Sequence, residues 1–177
     1  MAVWNVIENK ELSSGASSVS FTSIPSSYDH LVLLSTARSD ASEYNSYINF
    51  QVNGDTGSNY SRRAINANTV TPSGVSGTGG TSWIYQWIPG ASAVADTFSA
   101  TETWFINYAN TSYYKQIFSQ SSNPNNSSTG SQWGFRFSGG VWTSTAAINR
   151  VDALCNAGGD DFVQYSNFVL YGINGAG

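Results

Sequence analysis

Asp29 and His30 stand side by side at the head of the apolar run "HLVLLSTAR", and His30 is the only histidine among 177 residues. An acid next to an imidazole invites a nucleophile–base reading, which needs a Ser or Cys near the ring and an acid to orient it. The sequence has no Gly-x-Ser-x-Gly elbow and no strand-to-helix turn to hold one. His30 follows the turn "IPSSYD" directly, so Asp29 is expected to close that turn with a side-chain hydrogen bond.

Glycoside cleavage would need two carboxylates flanking a sugar. The acids are Glu8, Glu11, Asp29, Asp40, Glu43, Asp55, Asp96, Glu102, Asp152, Asp160 and Asp161, and most fall at turns or strand ends. Glu102 differs, because alternation in "DTFSATETWFINY" sets it on one face with Phe98 and Trp104. It is either a shielded proton donor or a sign that this face turns to solvent, and the second reading is preferred. No catalytic residue is assigned.

Metal and cofactor chemistry finds little support. One His and the single Cys155 do not supply a zinc site. "NGDTGSN" and "NAGGDD" offer oxygens without the EF-hand spacing of acids, so turn chemistry accounts for both. The glycines of "GVSGTGG" precede no helix that would receive a phosphate. No metal or cofactor is expected.

The aromatic residues carry the strongest remaining signal. In "SWIYQWI", Trp83, Tyr85 and Trp87 share one face while Ile84 and Ile88 share the other. Bulky groups on both faces imply either a fully buried strand or a surface that meets a protein or a sugar. Tyr113, Tyr114, Trp133 and Trp142 join Trp83, Tyr85 and Trp87 as candidate interface residues.

These groups must be positioned by strands, since helical periodicity is nearly absent. "SSVSFTSI", "SYINFQV", "QWGFRFS" and "DFVQYSNFVLYGI" are among about ten short alternating segments separated by Gly, Ser, Asn and Pro connectors. Residues 1–177 read as one all-β domain, an antiparallel jelly-roll-like β-sandwich. Val19, Phe21, Leu31, Leu33, Ile48, Phe50, Ile106, Val169 and Tyr171 are the expected inward set. "TVTPSGVSGTGGTS" and "SSNPNNSSTGS" read as long flexible loops.

Composition narrows the partners. Charged residues make up 10% of the chain and the net charge is −4, with the few cations scattered, so a nucleic-acid face is not expected. No apolar run is long enough to cross a membrane as a helix, and no signal peptide is evident. One cysteine fits folding in reducing cytosol, whereas the hydroxyl- and amide-rich surface suits an exterior.

Several stretches in order resemble a family of small bacteriophage virion proteins. These are "VWNVIENKELSSGASSVSFTSIPSSYDHLVLLSTARSD", "INFQVNGDTGSNYSRR", "STAAINRVDAL" and "GGDDFVQYSNFVLYGI", which together cover most of the chain outside the glycine-rich loops. The resemblance implies a jelly-roll subunit, usually a homotrimer, acting in capsid decoration (cement) or at a fibre or receptor-binding tip. It carries over no catalytic residue. The expected place is the virion surface after assembly in the bacterial cytoplasm, with capsid protein or other virion proteins as partners. No shaft or docking segment is evident beside the domain, which favours decoration. The alternative is a receptor-binding tip or carbohydrate-binding module that meets a host-surface glycan.

Overall fold

A computed structural model describes residues 3–67, 72–123, 134–156 and 159–175. The described residues form twelve strands, with no α-helix among them. In chain order these are β1 (Val3–Glu11), β2 (Ser18–Phe21), β3 (His30–Thr36), β4 (Asn45–Val52), β5 (Tyr60–Ala67) and β6 (Ser73–Gly80). They continue as β7 (Trp83–Pro89), β8 (Ala100–Ile106), β9 (Lys115–Asn123), β10 (Gly134–Trp142), β11 (Val151–Cys155) and β12 (Asn167–Asn174).

All pairings are antiparallel and they build two sheets. The large sheet has the order β1-β12-β3-β8-β9-β10-β5-β6 and the small sheet β2-β11-β4-β7. Alternation explains how they meet. Val19, Phe21, Ile48, Phe50, Val151 and Ala153 of the small sheet share one core cluster with Leu31, Leu33, Phe105, Phe168 and Leu170 of the large sheet. Phe50 and Phe105 bridge the sheets edge to face, 6.2 Å between centroids, a favourable aromatic geometry.

Under β8, β9 and β10 the interior changes character. Thr101, Thr103, Ser119, Ser121, Arg136 and Ser138 are buried there. Most of them find polar partners, as buried polar groups usually do: Ser35 with Thr101, Gln86 Nε2 to Thr103 Oγ1 at 2.6 Å, the Trp87 backbone N–H to Ser121 Oγ at 3.2 Å and Arg136 Nε to Ser138 Oγ at 3.2 Å. The Ser119 hydroxyl is buried with no partner among the described residues. The sandwich interior is therefore apolar in one part and polar, largely hydrogen-bonded, under β8, β9 and β10.

The expectations for three core residues and one loop are corrected. Ile106, Val169 and Tyr171 were assigned inward but lie on the outer face, half-buried. Their neighbours Phe105, Phe168 and Leu170 enter the core instead. Alternation gives little contrast in these strands because both faces mix apolar and polar residues. Asn107, at φ 48°, then breaks the β8 parity and returns Tyr108 to the core. The glycine-rich stretch expected as a loop contributes β6, which has almost no side chains to announce it. The second expected loop lies mostly outside the described residues.

Candidate docking face

The outer face of the large sheet follows from register. One row across it runs Val6, Tyr171, Val32, Trp104, Phe118, Gly139, Arg63 and Ser76. The next row runs Asn9, Val169, Leu34, Glu102, Gln120, Phe137, Ile65 and Gly74. Antiparallel sandwiches usually turn a polar outer face to water. The outer face of the small sheet is polar, carrying Ser18, Ser20, Gln51 and the buried Asn49 and Asp152, with Tyr47 and Leu154 among them. The large sheet is the reverse.

Its apolar side chains are accessible. Val6 and Ile65 are each 59% exposed, Trp4 46%, Phe135 43% and Phe137 42%. Trp4 packs edge-on against Trp104 at 5.7 Å and against Tyr171 at 5.6 Å, and Phe118 meets Phe137 at 4.7 Å. Exposed aromatic clusters of this kind are unusual on a face that meets only water.

Only two charged residues, Glu102 and Arg63, occupy these rows. The Glu102 carboxylate accepts hydrogen bonds from Trp104 Nε1 and Gln120 Nε2, both at 2.5 Å. A fixed carboxylate on an aromatic field results. Beside it runs a trough of about 520 Å³, bounded by Leu34, Gln120, Phe135, Asn167, Val169 and Tyr171.

The residues singled out by sequence separate widely. Trp142 is buried and donates from Nε1 to Asp55 at 2.6 Å. Trp87 is buried beside Arg136, whose guanidinium carbon lies 5.9 Å from the ring centroid. Neither offers area to a partner. Tyr113 and Tyr114 are exposed in the β8–β9 connection. Trp83 and Tyr85 belong to β7, but their side chains, like all of Trp133, lie outside the described residues. The face itself was missed, although the alternation of Phe135 and Phe137 in "GFRFS" carried a signal for it.

Asp29 and His30 engage different partners. Asp29 Oδ2 accepts from the Gly175 backbone N–H at 2.6 Å, so it fastens the end of β12 and not its own turn. His30 Nδ1 accepts from the Asn107 N–H at 3.1 Å. In "NGDTGSN", Asp55 accepts from Gly57 N–H at 2.8 Å, Asn59 Nδ2 at 2.9 Å and Trp142. Burial acts to raise the Asp55 pKa, but these hydrogen bonds outweigh it and hold the group below its ordinary 3.8. Among the described residues, no group of three His, Cys, Asp or Glu side chains is placed to hold a metal ion. No family model, curated protein or solved structure matches this chain.

Proposed function

We propose that this chain is a non-enzymatic assembly subunit of a bacteriophage virion, acting as a decoration (cement) protein on the capsid exterior. The observation that carries the reading is the apolar outer face of the eight-stranded sheet. Eight strands about 4.8 Å apart make that face about 34 Å wide, enough for a protein-sized contact. Aromatic and uncharged polar groups suit such a contact, because desolvating charges is costly without well-placed partners.

The strand order supports a finer fold reading, a jelly roll with two inserted hairpins. Setting β5, β6, β9 and β10 aside leaves sheets β1-β12-β3-β8 and β2-β11-β4-β7. That is the alternating interleave of an eight-stranded jelly roll, an architecture common in viral capsid and lectin domains. The four remaining strands extend one sheet and widen its outer face. Fold alone does not give function, and the capsid role also leans on the sequence resemblance.

Counting copies per purified particle by quantitative mass spectrometry tests the role. Hundreds of shell-bound copies are expected. A few dozen or fewer, found only with tails, would remove the decoration reading. The trough beside Glu102 favours a second reading, a glycan-binding tip, since Tyr171 and Phe135 offer ring faces and Glu102, Gln120 and Asn167 offer hydrogen-bonding groups. Glycan-array binding abolished by Tyr171→Ala would establish that reading instead.

A further inference from the structure

We propose that the outer face of the large sheet pairs with the same face of a second copy, about a two-fold axis parallel to the strands between β9 and β10. This rests on reading the face as an assembly interface and names its occupant. The argument begins with charge. Glu102 on β8 and Arg63 on β5 lie three strands and one residue row apart, about 14 Å across the sheet. Neither ion-pairs with the other, and among the described residues Arg63 makes only a hydrogen bond to the Arg62 carbonyl, at 3.1 Å. Covering this face with a neutral partner would bury a carboxylate and a guanidinium that have hydrogen bonds but no opposite charge, which is unfavourable.

The two-fold removes that difficulty. It exchanges β8 with β5, bringing Trp104 of one copy over Arg63 of the other and Glu102 within one row of it. A guanidinium can then stack on the indole and reach the carboxylate, satisfying both charges twice per dimer. The same operation exchanges β9 with β10, so Phe118 lies over Gly139. A Cβ at Gly139 would meet nothing within 4 Å, so this glycine is a notch in the apolar field and Phe118 is a knob of suitable size.

Area and shape agree. The overlap spans β3 to β6 in sheet order, six strands by roughly 20 Å of strand, on the order of 1,200 Å² in total, at the lower edge of specific interfaces. One broad sheet face is covered by another in a single stacking, whereas threefold packing of such faces leaves a gap along the axis. The two-fold therefore replaces the trimer expected from the family resemblance. Trp4 and Val6 at the β1 edge stay outside the overlap, available to a shell.

Sedimentation velocity of the full chain at tens of micromolar provides the test. A dimer is expected. Arg63→Glu alone and Glu102→Arg alone should each weaken association by at least about tenfold, while the double variant restores it. Thermal unfolding of each variant separates lost association from lost folding, and Arg63→Glu alters only an exposed side chain. A wild-type monomer, or a dimer indifferent to the exchange, overturns the proposal. An apolar-surface dye then tells the two readings apart. Dye bound by a monomer and lost in Phe137→Ser leaves the assembly face standing with another partner. A monomer that binds no dye removes the assembly reading as well.

Discussion

Trp142 reaches from β10 across 87 residues of sequence to donate its indole N–H to Asp55 at 2.6 Å. The turn after β4 is thereby fastened to the large sheet. Tyr60 completes the junction, donating its hydroxyl to the Asp55 carbonyl at 2.9 Å. One carboxylate organises the turn through its side chain and its backbone together.

Asp55→Asn should therefore destabilise the fold by about 1 kcal/mol or slightly more, the range for hydrogen bonds to a partly solvated charged acceptor. The acid limb gives a sharper test. The folded pKa lies below the unfolded value, so the stabilisation is present above pH 3.8 and is lost as pH falls through the folded pKa. Denaturant titrations should show a shallower loss of stability below pH 4 in Asp55→Asn than in wild type. Equal slopes would remove Asp55 from the account.

Alkaline behaviour follows from buried protonated groups. Burial pushes the Tyr60 hydroxyl up to about 12, with the Val52 backbone bond opposing it. Burial also pushes the Cys155 thiol to about 12, reinforced by Asp160. Tyr108 shifts in the same direction, again through burial. Each raised group gives stability that is full below its unfolded pKa and lost as pH rises through the folded one. Buried Lys115 works the other way, since burial lowers its pKa and its contribution improves as pH rises. Three groups outweigh one. Stability should fall by roughly 1–3 kcal/mol between pH 9 and 11, and Cys155→Ala should reduce that loss in urea titrations.

Lys115 is fully buried, and its ammonium donates to the Tyr113 and Thr145 carbonyls, both at 3.0 Å. It ties the β8–β9 connection to the segment before β11. Lys115→Met keeps the stem but strands two acceptors, and a loss of about 1–3 kcal/mol is expected. Hydrogen exchange should quicken in both segments. Protection unchanged at residues 143–149 would refute the tie.

Arg38 is a second clamp, made mainly on backbone carbonyls. Its guanidinium donates to the Val94 carbonyl at 2.8 Å, the Thr97 carbonyl at 3.1 Å and the Ala93 carbonyl at 3.1 Å. Arg38→Lys keeps the charge but not the fork. Segment 91–97 should become the preferred site of limited proteolysis in that variant, with the rest of the digest unchanged.

Gly172 in β12 faces the Tyr28 ring, where an added Cβ would come within 2.3 Å. Gly172→Ala must displace that ring or the strand. A drop of several degrees in Tm is expected from such overpacking, and a Tm equal to wild type would show that Tyr28 yields freely.

How much of this was legible depended on contrast between faces. In β2 and β4, serines and amides alternate with Val19, Phe21, Ile48 and Phe50, so both the strand and its inward face could be read. In β8 and β12 both faces mix apolar and polar residues, so the strands were evident and their orientation was not. The burial of Ser119, Ser121 and Arg136 leaves no mark in the local sequence, since it depends on the polar interior that the two sheets build around them. Within the docking face, Glu102 and Trp104 lie two residues apart and were legible as neighbours. That Arg63 shares their face depends on β10 pairing with β5, a fact of sheet order that local sequence does not hold.

The position of β12 between β1 and β3 has a consequence for synthesis. A ribosome delivers both flanking strands long before the one that joins them, and until then each presents a bare edge of N–H and C=O groups. The nascent chain thus carries two open β-edges until the last strand is made. Its hazard is premature pairing with a neighbouring nascent chain. Any stall between β11 and β12 should feed aggregation far more than an equal stall in the β9–β10 hairpin.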